Sequence, residues 1–184
     1  KYKNGEVRLS EEHDKFEWLN LKEDYGIANL FTQYLVDHYG VKVLADSLQS
    51  SKVGIASLEE ALQKQGVQKT FSQVFSDWAI TLLVNDCRLG ERYCYLSQNL
   101  RSLRIVPILY FLPGTETVLS TVHGTTHWAL NWHRFVGGGS NFTLEFVGQG
   151  NSAEFEVPYV LCDKANLCSV GFLVLAQQKA NLVL

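Results

Sequence analysis

At 184 residues the chain can bury a hydrophobic core without external staples, as one large domain or two small ones. Nearly half of its residues are apolar, which excludes a disordered chain, yet the longest apolar runs, such as residues 170–176, fall far short of the roughly 20 residues of a membrane-spanning helix. A net charge of -3, with no basic stripe carrying interleaved aromatics, argues against nucleic acid as a partner.

In chain order, residues 25–39 set Ile27, Leu30, Phe31, Tyr34 and Leu35 at helical spacing, and Gly40 follows as a stop. A second helix is predicted over 41–48. Ser57 followed by Glu60 reads as a capping box opening a short helix that ends at Gly66, and Thr70 followed by Gln73 opens another. In that last helix Phe71, Val74, Phe75, Trp78 and Leu82 form one apolar face. From about residue 103 the period changes to two, with strand-like runs at 103–111, 117–122, 128–136, 142–147, 153–159 and 170–176. Turn signals at Pro113-Gly114, Gly137-Gly138-Gly139 and Gly148-Gln149-Gly150 separate them at sandwich-like intervals. Charge follows the same division, since residues 1–99 carry 25 of the 35 Asp, Glu, Lys and Arg side chains. The expected fold is therefore α+β, a helical half over 1–99 followed by a β-sandwich-like half over 100–184.

The four cysteines fall into two local pairs, Cys87 with Cys94 and Cys162 with Cys168. Of the three connectivities the local one is favoured because each loop is short and polar, and two disulfides imply an oxidising, secreted or cell-surface location. Zinc ligation and free thiols are the competing readings, and neither spacing is C-x-x-C. The chain starts at Lys1 without an initiator Met, which reads as a processed or engineered terminus with any signal peptide already removed.

His123 and His127 stand four apart, the spacing of two zinc ligands on a helix, but the general-base glutamate is missing and the Gly-Thr-Thr between them disfavours a helix. On a strand, residues four apart lie about 13 Å from each other, so both read as strand histidines and no metal site is assigned. Trp128, Leu130 and Trp132 alternate against His127, Asn131 and His133. The two tryptophans are either core or an exposed platform for a sugar or peptide. Asn141-Phe-Thr143 matches the N-glycosylation pattern, which matters only in a eukaryotic source. No G-x-S-x-G, phosphate loop or dinucleotide fingerprint occurs, so the chain holds no complete active site of its own.

The helical half carries an ordered series of features: Trp18, then Asp24-Tyr25-Gly26-Ile27-Ala28-Asn29-Leu30-Phe31, Tyr34-Leu35 to Tyr39-Gly40, Gly54-Ile55-Ala56, Thr70-Phe71, Phe75-Ser76-Asp77-Trp78 and Arg92-Tyr93. This series resembles the region downstream of the zinc site in secreted bacterial gluzincin metallopeptidases of the immune-inhibitor-A and hyicolysin-like type, where such helices complete the catalytic helical subdomain. The resemblance covers 75 to 80 residues and rests on spacing and aromatics. More weakly, Trp132 to Phe135 and Phe142 to Gly148 look like the β-sandwich that often follows. It implies a C-terminal portion of a zinc-metallopeptidase-like protein, supporting the catalytic domain and contributing to binding of a peptide or protein substrate. The family's H-E-x-x-H helix and downstream zinc-binding glutamate do not occur in residues 1–184. Catalytic zinc needs three protein ligands, an open water position and a carboxylate base, so no cofactor is expected in this chain, and zinc only with an upstream catalytic segment or partner chain. Tyr25, at the start of the helix behind the family's zinc site, would donate to the developing oxyanion or simply pack that helix start. The helical half is also expected to expose an apolar face where catalytic helices would dock. The alternative from another class is a non-enzymatic extracellular binding or adhesion module that uses the β-sandwich, with Trp128 and Trp132 at its surface. A degenerate peptidase fold kept for structure is a third.

Overall fold

The computed structural model describes residues 6–8, 22–112, 118–137, 142–150 and 154–183. Four helices lead: α1 (Lys22–Tyr39), α2 (Val41–Leu48), α3 (Ile55–Lys64) and α4 (Phe71–Val84). Gly40, at φ 81°, separates α1 from α2 by adopting a left-handed backbone that a Cβ would disfavour. The Thr70 capping box forms as its spacing predicts: the hydroxyl accepts the Gln73 N–H, and the Gln73 side chain accepts the Thr70 N–H. The Ser57 box does not form, because the cap of α3 lies three residues earlier, at Gly54, and Ser57 falls inside its first turn. There the buried hydroxyl donates to the Gly54 carbonyl and meets Ser47 of α2, while Glu60 pairs with Lys64 and accepts from Ser50.

Helix α4 ends on Asn85, in the left-handed region at φ 41°, whose buried amide ties the exit of the helical half together. Its Nδ2 donates to the carbonyls of Leu100 and Leu103, and its Oδ1 accepts the Tyr95 N–H at 2.8 Å. Three short 3-10 turns (Cys87–Leu89, Glu91–Tyr93, Gln98–Leu100) lead on, and both local disulfides, Cys87–Cys94 and Cys162–Cys168, are formed.

The core draws on all four helices: Phe31, Tyr34 and Leu35 of α1, Val43 of α2, Leu58 and Leu62 of α3, and Phe71, Val74, Phe75, Trp78 and Leu82 of α4. The Phe31 ring meets Phe71, Phe75 and Trp78 edge-on at centroid distances of 4.9 to 6.4 Å, a geometry that aromatic quadrupoles favour.

The strands are β1 (Glu6–Arg8), β2 (Ile108–Leu112), β3 (Ala129–Asn131), β4 (His133–Gly137), β5 (Thr143–Val147), β6 (Pro158–Cys162), β7 (Cys168–Phe172) and β8 (Lys179–Val183). The protein is thus mixed α and β. The described strands pair two by two, β1 with β3, β2 with β4 in parallel, β5 with β8 and β6 with β7, and no sandwich is shown among them. The run at 128–136 divides at Trp132 because its two parts have different partners, β1 and β2. The run read as a strand over 117–122 has no ladder partner in its described residues, 118–122, which are all exposed, although Thr121 and His123 contact β2 and β4. The Pro113-Gly114 and Gly138-Gly139 turn signals, Asn141 and Trp18 lie outside the described residues.

Candidate functional site

Within α4, residues 74–82 are buried without interruption, and Asp77 is the one charged side chain among them. A carboxylate in that position needs partners, since an unpaired buried charge is strongly unfavourable. Lys69, just before the cap of α4, donates its Nζ to Asp77 Oδ2 at 2.5 Å, and Arg92 Nε stands 3.8 Å from Oδ1.

The disulfide-closed loop from Cys87 to Cys94 delivers Arg92 to this position. Its backbone is fastened to the helices by three hydrogen bonds. Tyr34 and Thr81 donate their hydroxyls to the Arg92 carbonyl at 2.9 and 3.1 Å, and His38 Nε2 lies 3.0 Å from the Cys94 carbonyl, to which it donates. The Arg92 guanidinium then lies over the Tyr93 ring, 4.7 Å from its centroid.

Lys69 and Arg92 border two adjoining concavities. One, of about 420 Å³, is lined further by His38, Tyr39 and Glu91. The other, of about 620 Å³, runs between the helical and β halves, with Gln68, Gln73 and Asp77 on its polar side and Phe155, Val157, Phe172 and Leu173 on its apolar side. Glu156 fixes the second wall to the first by accepting hydroxyl hydrogen bonds from Ser72, at 2.7 Å, and Ser76.

Burial pushes the Tyr39 phenol up to about 12, with the Asp77 charge adding to the rise, so Tyr39 remains a donor at any ordinary pH. Burial also raises Tyr34 and Tyr93, and lowers His38, which stays neutral near pH 7. The groove therefore offers cationic and amide donors on one side and apolar surface on the other. That combination suits an extended chain with polar backbone and apolar side groups. It offers no nucleophile paired with a base, and among the described residues no group of three or more His, Cys, Asp or Glu side chains converges to hold a metal.

Tyr25 falls in the first turn of α1, and its side chain lies outside the described residues. Trp132 is 8% exposed and donates its indole N–H to the Ala79 carbonyl at 3.2 Å. Trp128 stands edge-on to Phe71 and Phe75, at 4.6 and 5.6 Å. Both indoles thus pack against α4, and the structure brings them to the core of the helical half. The two disulfides fit an extracellular location, and no described helix is long and apolar enough to cross a membrane.

Sequence reasoning did not find the Lys69–Asp77–Arg92 cluster or the Glu156 anchor. The one available signal was Asp77 itself, an acid directly beside Trp78 in an apolar helix. Comparison with family models, with curated proteins and with solved structures finds no match.

Proposed function

We propose that this chain is the C-terminal portion of a secreted zinc-metallopeptidase-like protein, supporting a catalytic segment or partner chain and helping to hold its peptide or protein substrate. The observation that carries this reading is the ordered series from Asp24 to Trp78. Its aromatic and aliphatic members, Phe31, Tyr34 and Leu35 of α1 and Phe71, Phe75 and Trp78 of α4, meet in one core. A support of this kind must be rigid, and a close-packed aromatic core with a disulfide-closed loop fastened to it supplies rigidity. The groove beside Lys69 and Arg92 supplies a surface for an extended peptide. In this reading Tyr25 would donate a hydrogen bond to the oxyanion that develops in the other segment's site, and the β half belongs to the sandwich that follows such subdomains.

The decisive experiment joins this chain to the sequence encoded immediately upstream of Lys1. That sequence should contain H-E-x-x-H followed within a few tens of residues by a glutamate, and the extended protein should cleave a casein or peptide substrate while residues 1–184 alone do not. An upstream sequence without that motif, or proteolysis by residues 1–184 alone, overturns the reading.

A further inference from the structure

We propose that His123 and His133 form a two-imidazole site for a divalent transition metal ion, copper(II) ahead of zinc, on one face of the β2–β4 pair. The inference does not depend on the peptidase reading.

The site is built by strand register. In the parallel pairing, Ile108 lies opposite His133 and Tyr110 opposite Phe135, so Tyr110, His133 and Phe135 share a face. Their rings are nearly parallel, with Tyr110 5.8 Å from His133 and 5.2 Å from Phe135. Residues 118–127 lie beside that face without joining the ladder. Thr121 and His123, two apart on this segment, contact it together: Thr121 Oγ1 is 3.3 Å from the Tyr110 hydroxyl, and the His123 ring centre is 4.7 Å from that of His133.

That spacing is compatible with shared coordination. With metal–nitrogen bonds of about 2.1 Å, each ring centre lies about 3.2 Å from the ion, which puts two rings about 4.5 Å apart at a right angle and about 5.2 Å apart at a tetrahedral one. The observed 4.7 Å lies between these limits, and the rings are inclined at 65° instead of stacked.

Tyr110 supplies the support that metal-binding imidazoles normally have. His133 Nδ1 stands 3.3 Å from the Tyr110 hydroxyl. With Nδ1–H donating to that oxygen, and the phenol donating on to Thr121, the lone pair of His133 is left on Nε2.

Imidazole pairs bind copper(II) more tightly than zinc, and no carboxylate or thiolate converges on this pair among the described residues, so water fills the remaining positions. The ion would clamp residues 118–127 to β4. The partner of His123 is thus His133, ten residues on, and not the His127 that its sequence spacing singles out.

The test is calorimetric titration of the metal-stripped chain with copper(II) and with zinc. One ion should bind per chain, copper more tightly. His123→Ala and His133→Ala should each weaken binding by more than tenfold, Tyr110→Phe by about tenfold, and His127→Ala by less than twofold. His123 is exposed, so its variant reads binding without disturbing the fold, and circular dichroism checks that His133→Ala is folded. Absence of binding, an unchanged affinity in His123→Ala, or an equal loss in His127→Ala overturns the proposal.

Discussion

The indole N–H of Trp132 donates to the main-chain carbonyl of Ala79, 3.2 Å away, so a residue between two strands of the β half satisfies an acceptor in the middle of α4. Trp132→Ala removes that bond and empties a buried site against the helical core. The expected loss is about 3 to 5 kcal/mol of unfolding free energy, measured by urea denaturation followed by far-ultraviolet circular dichroism. Trp132→Phe should lose less, because most of the packing volume remains. If Trp132→Ala instead left stability unchanged and abolished capture of a glycan or protein ligand, the binding-module alternative would gain and the core role would fall.

Thr70 offers a more local test. Its hydroxyl accepts the Gln73 N–H and so satisfies one of the unpaired donors at the start of α4. Thr70→Ala should lower stability by about 1 kcal/mol, and Thr70→Ser or Thr70→Asp should retain it. A neutral Thr70→Ala would mean that the cap contributes nothing to this helix.

The two disulfides should behave differently. Cys94 is fully buried between Tyr93 and Tyr95, and the loop it closes carries Arg92 to Asp77. Replacing Cys87 and Cys94 together by alanine should reduce stability by roughly 2 to 3 kcal/mol on chain-entropy grounds and loosen the groove. Cys162 and Cys168 close the exposed end of the β6–β7 hairpin. Removing that pair should leave the unfolding of the helical core, followed by tryptophan fluorescence, unchanged. Equal effects of the two double variants on the helical transition would refute this difference.

Acid should weaken the fold through its half-buried histidines. Burial lowers the pKa of His38 in the native state, and His133 shifts the same way through burial and its neighbour His123. The unfolded chain then takes up protons that the folded chain refuses. Their contribution is complete above about pH 6.5, the ordinary histidine value, and is lost as the pH falls from there toward the lower native values. Unfolding free energy measured at pH 7.5 and 5.0 should fall with acidity, and His38→Gln, which keeps a donor toward the Cys94 carbonyl, should fall less. A pH-independent stability over that range would sink the assignment.

The helices were legible in the sequence because their signals are local. Phe71 to Leu82 spell one face, Thr70 and Gln73 mark its start, and Gly40 and Gly66 stop their helices by taking positive φ. Ser57 misled because a serine three residues before a glutamate looks the same whether it caps a helix or lies within its first turn. The runs at 103–111, 128–136, 142–147, 153–159 and 170–176 each overlap a strand, but residues 118–122 pair with nothing among the described residues, β1 and β8 were not read, and the pairing was not legible. Which edge meets which is decided by contacts between distant segments, as where Glu6–Arg8 joins Ala129–Asn131. The Lys69–Asp77–Arg92 cluster was hidden for the same reason, as its members come together only once the disulfide loop folds back on α4.

The exchange across the middle of the chain also governs how this molecule reaches its native state. Strand β1 finds its partner at Ala129–Asn131, and Trp128 packs edge-on against Phe71 and Phe75 of the helical core. Neither contact can form until residues 128–131 have emerged, and contacts of such high sequence separation are the kind that slow folding. A growing chain that stops short of residue 128 lacks both of these contacts, and Phe71 and Phe75 gain the Trp128 ring only when that segment arrives.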